Sequence, residues 1–295
     1  MKGSKATLRI TRTTAAEPCA QATAASLFFP RSKSAATCPQ ADETAPGISS
    51  PEQAGFAASG AQFRYVQTVV TLPNAANFAS EIGGFGISVQ LWSSHQVAVL
   101  GISNSTTSGN YSAAVAMFDP TQPNRNVYPN ALICSTAGSG SQLCAGTPAD
   151  WTDGSVSFAP GDTVIISAFY NQATGGTLFL VKDPAASESL SYTFASGTGI
   201  SWRQARVGAE FGCSPWASCS GSSPVPYSAP PSPVHLAKFS GIRLTTYSGH
   251  RAGFRSWWVH AKVKWTRNGH IGGAVNGKPR DLFDAGTAFN VYLQP

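Results

Sequence analysis

From about residue 62 onward the chain is cut into short apolar runs, each too short for a helix and each ended by a turn signal. F-R-Y-V-Q-T-V-V-T-L stops at Pro73 and Y-S-A-A-V-A-M-F stops at Asp119-Pro120. The same rule holds for G-I-S-V-Q-L-W, Q-V-A-V-L-G-I, D-T-V-I-I-S-A-F-Y, G-T-L-F-L-V, S-L-S-Y-T-F, A-R-V-G-A-E-F, F-S-G-I-R-L-T-T-Y, W-W-V-H-A-K-V-K-W and T-A-F-N-V-Y-L. Runs of this length, rich in Val, Ile, Thr and aromatic residues, are strands. At least ten of them, with no strand-helix alternation and no repeat, predict an all-β chain built as a two-sheet antiparallel β-sandwich or jelly roll.

Composition supports this. Twenty-nine glycines and 20 prolines, against 14 acids and 20 lysines plus arginines, favour strands and turns over long amphipathic helices. No run approaches the length of a membrane-spanning helix, so no membrane span is expected. The net charge of +6 comes from the N-terminal segment and from the stretch between Arg251 and Arg280. Charges are otherwise sparse, and no nucleic-acid partner is expected.

Residues 1–58 are rich in Ala, Thr, Ser and Pro without a sustained period and are predicted to be a disordered or processed leader. The folded domain is expected to span 59–295. Six cysteines fall in near neighbours: Cys19 and Cys38, Cys134 and Cys144, Cys213 and Cys219. An even count of this kind predicts an oxidising compartment, hence a secreted or extracytoplasmic protein. The opening M-K-G-S-K-A-T-L-R-I-T-R, however, has no apolar signal-peptide core. Two long loops are expected, from Thr121 to Gly154 and from Gly212 to Pro233, where binding surfaces are often built.

The sequence holds no G-x-S-x-G elbow, H-E-x-x-H, Walker loop or C-x-x-C. His250, His260 and His270 are ten residues apart and match no metal-ligand spacing, so neither metal nor cofactor is expected. Most aspartates adjoin Gly, Pro or a strand end, where their local backbone hydrogen bonds favour turns. Glu210 differs. It sits inside A-R-V-G-A-E-F, where alternation puts Val207, Ala209 and Phe211 on one face and Arg206, Gly208 and Glu210 on the other. No strand offers the second carboxylate that glycoside hydrolysis requires.

The order V-V-T-L-P, G-I-S-V-Q-L-W, V-L-G-I, Y-S-A-A-V-A-M-F-D-P, A-P-G-D-T-V-I-I-S-A, A-R-V-G-A-E-F, L-A-K-F-S-G-I-R-L and D-A-G-T-A-F-N-V resembles the glutamic peptidases, or eqolisins, from about Phe63 to the C-terminus. The resemblance implies a concanavalin A-like sandwich with a substrate groove, and secreted, acid-active endopeptidases as relatives. It implies a glutamate as general base on the attacking water and a glutamine amide that steadies the oxyanion. Glu210 falls on the glutamate. The glutamine position falls on Val99, two residues before Gly101, while Gln96 lies at an odd offset and faces the other way. Ser88 stands where the family has a groove tryptophan, Val115 and Met117 fall at groove positions, and Arg206 stands where an acid is usual. A cation at Arg206 adds positive potential that favours an ionised Glu210.

Two function classes follow. In the first, Gln90, on the same strand face as Ser88, supplies the missing amide from a neighbouring strand, and Gln90 and Glu210 form a displaced dyad for metal-free peptide hydrolysis. In the second, the groove binds a polypeptide or polysaccharide without cutting it, with Trp92, Trp202, Trp257, Trp258 and Trp265 as candidate stacking faces. A structural or adhesive role without groove chemistry is a third reading. Oligomeric state is open.

Overall fold

The computed structural model of the protein describes residues 47–50, 53–74, 77, 84–105, 109–119, 122–126, 131–136, 142–147, 153–211, 231–254, 259–266, 275–279 and 286–293, some strands by backbone alone. These form β-strands and no α-helix, numbered here in chain order. One sheet runs in space through β1 (Gly47–Ser50), β17 (Val259–Thr266), β2 (Gln53–Ser59), β14 (Gln204–Phe211), β4 (Gly84–Trp92), β5 (Val97–Ser105) and β6 (Tyr111–Asp119). Beyond β6 it continues into β10 (Asp153–Phe158) at one end and β7 (Gln122–Asn126) at the other. The second sheet runs through β19 (Phe289–Leu293), β15 (Val234–Thr246), β3 (Phe63–Thr71), β11 (Thr163–Asn171), β12 (Gly176–Asp183), β13 (Glu188–Ala195), β8 (Ala131–Thr136) and β9 (Gln142–Thr147). Among the described residues all pairings are antiparallel except β1 with β17. The short strand β18 (Val275–Pro279) pairs with both β17 and β19 and carries the ladder from one sheet to the other. The sandwich predicted from the run pattern is the fold.

Period-2 alternation decides what each strand buries. Phe85, Ile87, Val89 and Leu91 of β4, Ala98, Leu100 and Ile102 of β5, and Ala205, Val207 and Ala209 of β14 all enter one apolar core. Val66 and Val70 of β3, Val164, Ile166 and Tyr170 of β11, and Phe179 and Val181 of β12 meet them from the second sheet. Each fully buried aliphatic or aromatic side chain contributes roughly 1.5–3 kcal/mol relative to exposure. The even-numbered residues of β4 and β14 therefore face away from the core.

Four expectations need correction. The boundary at 58/59 is too late: β2 was assigned to the leader, yet it lies between β14 and β17 and has Ala54, Phe56 and Ala58 in the core. Phe56 packs edge-on against Phe289 of β19, with ring centroids 5.0 Å apart, which ties the first sheet to the second. The run Q-A-G-F-A-A-S lacks branched residues, so its strand character was not visible. Second, the stretch from Thr121 to Gly154 is not one long loop but carries β7, β8 and β9. Third, Val115 and Met117 are not groove residues. Both are buried in the core, because β6 pairs Val115 with Leu100 and Met117 with Ala98, and those partners face inward. Fourth, Trp202 is fully buried against Tyr170, with ring centroids 5.8 Å apart, and offers no stacking face. Residues 1–46, Trp257, Trp258, the stretch 212–230 in which a loop was expected, and the side chain of Trp265 lie outside what is described.

Candidate active site

Register lines up four rows across β2, β14, β4 and β5 on the face turned away from the core. They are Gln53, Glu210, Gly86 and Ser103; then Gly55, Gly208, Ser88 and Gly101; then Ala57, Arg206, Gln90 and Val99; then Ser59, Gln204, Trp92 and Val97. The second row consists of small residues only. At its centre the glycines are obligatory: a Cβ on Gly55 would sit 2.0 Å from the Val207 carbonyl oxygen, and one on Gly208 would sit 2.6 Å from that of Ala54. A trough one residue wide is left between the first row and the third.

Long side chains from both flanking rows fold into this trough and meet there. Gln90 donates from Nε2 to Glu210 Oε1 at 2.9 Å and to Ser88 Oγ at 3.2 Å. Gln53, the direct cross-strand neighbour of Glu210, donates from Nε2 to the same Ser88 hydroxyl at 3.1 Å. One hydroxyl has two lone pairs and can accept both. On the other side, Trp92 donates from Nε1 to Gln90 Oε1 at 2.7 Å. The Arg206 guanidinium lies over the Trp92 ring, 3.9 Å from its centroid, and its Nε donates to Gln204 Oε1 at 2.7 Å. Burial lowers the Arg206 pKa to about 10, so the group stays a cation at neutral and acid pH. Gln53, Ser88 and Gln90 are buried, whereas Trp92, Arg206 and Glu210 remain half-buried.

The sequence-predicted residues divide cleanly. Glu210, Gln90, Ser88 and Trp92 are brought into one hydrogen-bonded chain. Val99 sits on the same face beside Gln90, as its direct cross-strand partner, and packs with Val97 and Trp92 in a small apolar cluster separate from the core. Gln96 is turned elsewhere, donating to the Ser196 carbonyl at 3.5 Å. Two aspartates behave as turn residues: Asp162 accepts from the Ala159 amide, and Asp183 from the amides of Ala185 and Ala186. Sequence reasoning missed Gln53, because it lay in the supposed leader, and Gln204. The available signal was Q-A-G at 53–55, a polar residue two places from a glycine that needs close strand approach.

A carboxylate on a half-buried residue in direct contact with a buried primary amide can act as a pair. The carboxylate can take a proton while the amide donates a hydrogen bond to a developing negative oxygen.

Solved structures carry the same architecture. The protein superposes on a scytalido-glutamic peptidase bound to a transition-state analogue inhibitor with a TM-score of 0.53 and 13% identity, covering 82% of this chain and 97% of that one. It superposes on SCP-B, a member of the eqolisin family of peptidases in complex with the tripeptide Ala-Ile-His, with a TM-score of 0.52, 13% identity and the same coverage. The fold is thus the sandwich seen in glutamic peptidases, a distant structural relationship. Neither a protein-family model nor a curated protein matches the sequence.

Proposed function

We propose that the outer face of β14 and β4 is a peptidase site in which Glu210 and Gln90 act as a displaced dyad. The carrying observation is the 2.9 Å contact between Gln90 Nε2 and Glu210 Oε1. With the chain empty, the two groups satisfy each other. On substrate entry the contact opens and a water and the scissile carbonyl take the place between them. Glu210 accepts a proton as the water oxygen bonds to the carbonyl carbon, and the carbonyl electron pair moves onto its oxygen, which accepts from the Gln90 N–H. Collapse of the tetrahedral species expels the amine, which takes the proton back from Glu210. The leaving amine must be protonated, which suits an acid optimum.

Digestion of a denatured protein across about pH 2–7 tests this. Wild type is expected to cut best at the acid end, Gln90→Ala to lose about 10²–10³ in rate, as for removal of an oxyanion donor, and Glu210→Gln to lose at least as much while keeping a measurable residual rate. Unchanged digestion in both variants would sink the proposal.

A second reading, binding without cutting, is favoured by the burial of Gln90 and by both contacts of its Nε2, to Ser88 and Glu210, being already made. Among its ligands a peptide suits the face better than a sugar, since Arg206 covers one side of the Trp92 ring and Trp202 is enclosed. Tight peptide binding by a wild type that never cleaves is the outcome that would select it.

Export to an oxidising compartment belongs to the same proposal. Cys134 and Cys144 are direct cross-strand partners in the β8–β9 hairpin. Antiparallel partners stand about 4.5–5.5 Å apart at Cα, inside the range of about 4.4–6.8 Å that a disulfide spans. A non-reducing peptide map is expected to recover these two cysteines in one cross-linked species; recovery of both as free thiols from the secreted protein would contradict it.

A further inference from the structure

A primary amide presents two chemically opposite ends, and only one orientation of Gln90 serves the proposed dyad. The indole N–H of Trp92 can donate and cannot accept. At 2.7 Å from the Gln90 amide it must meet the carbonyl oxygen, since a flipped amide would set two N–H donors against each other. The same flip would turn the amide oxygen toward the Glu210 carboxylate at 2.9 Å, acceptor against acceptor. Trp92 and Glu210 therefore demand the same orientation from opposite ends.

We propose that Trp92 is a positioning residue: its indole N–H locks the Gln90 amide with the NH₂ end aimed at Glu210, and Arg206 stacked on the indole holds the ring in place. The inference rests on the reading of Gln90 and Glu210 as the working pair. It assigns the lock to a residue four places along the chain from Ser88, on the same strand face and two places beyond Gln90. The stack spans the register, because Arg206 lies directly across from Gln90 and Gln204 directly across from Trp92. The Nε bond to Gln204 fixes the plane of the guanidinium over the ring. A planar cation is attracted to an aromatic face, and more strongly where water is excluded. Arg206 is half-buried and its acidity is raised by desolvation, which places the stack toward the stronger end.

Trp92→Phe separates the two functions of the indole. It keeps a ring for Arg206 and removes the N–H. The side-chain amide signals of Gln90, identified by their loss in Gln90→Leu, report orientation in ¹⁵N-labelled protein whether or not the protein cuts anything. In Trp92→Phe they are expected to shift and broaden, as for an amide held at its NH₂ end only, and in Gln90→Leu the Trp92 indole N–H signal is expected to shift in return. Should Trp92→Phe fail to fold, the indole signal in Gln90→Leu decides alone. Unmoved signals in the folded variants would overturn the proposal. If wild type cleaves peptides, Trp92→Phe is further expected to lower kcat about tenfold with KM within about twofold; a change in KM alone would count against a positioning role. A wild type without peptidase activity would remove the dyad reading, yet the amide signals would still settle the lock.

Discussion

Ser88 shows how much a single side chain governs here. It sits in the trough of small residues, fully buried, and its hydroxyl accepts from both Gln53 and Gln90. So small a side chain leaves room for both amides. Ser88→Leu is expected to fill that space, part Gln90 from Glu210 and lower cleavage by at least about tenfold while leaving the fold intact. The leucine also leaves two buried amides without their shared acceptor, at roughly 1–3 kcal/mol of stability for each unsatisfied group. Full activity in Ser88→Leu would show that the contact between Gln90 and Glu210 is dispensable.

At the scale of elements, the site depends on β2 and β14 approaching closely. Gly55 and Gly208 face each other, and neither position has space for a methyl group. Gly55→Ala is expected to push the strands apart, destabilising the protein by about 1–3 kcal/mol as an overpacking substitution and weakening the Gln53 bond to Ser88. Thermal unfolding reads the first effect; a variant as stable as wild type would show that β2 can move away at no cost. This pair also explains what was legible in the sequence. β4, β5, β11 and β14 announced themselves because branched and aromatic residues alternate along them. β2 did not, since the position beside β14 demands Gly and Ala, the residues with the weakest strand signature. β8 and β9 were hidden in a stretch of Ser, Gly and Ala whose pairing, with β13 at one side, is a long-range contact.

For the whole molecule, alternation along individual strands was sufficient for the architecture, and it placed Glu210, Gln90, Ser88 and Trp92 on outward faces. It did not determine which outward faces adjoin. That requires strand order: the family resemblance set Val115 and Met117 in the groove, whereas pairing with Leu100 and Ala98 of β5 turns both into the core. Strand order brings β14 beside β4, and register then sets the glutamate and glutamine rows on either side of a trough of small residues. Two groups that work as one unit lose their joint contribution when either is removed, so their effects on rate do not multiply. A double-mutant cycle on peptide cleavage at acid pH, using Gln90→Ala, Glu210→Gln and the two combined, tests this most directly. The account predicts that the combined variant is no slower than Glu210→Gln alone; losses that multiply, or variants that cut as fast as wild type, would contradict it.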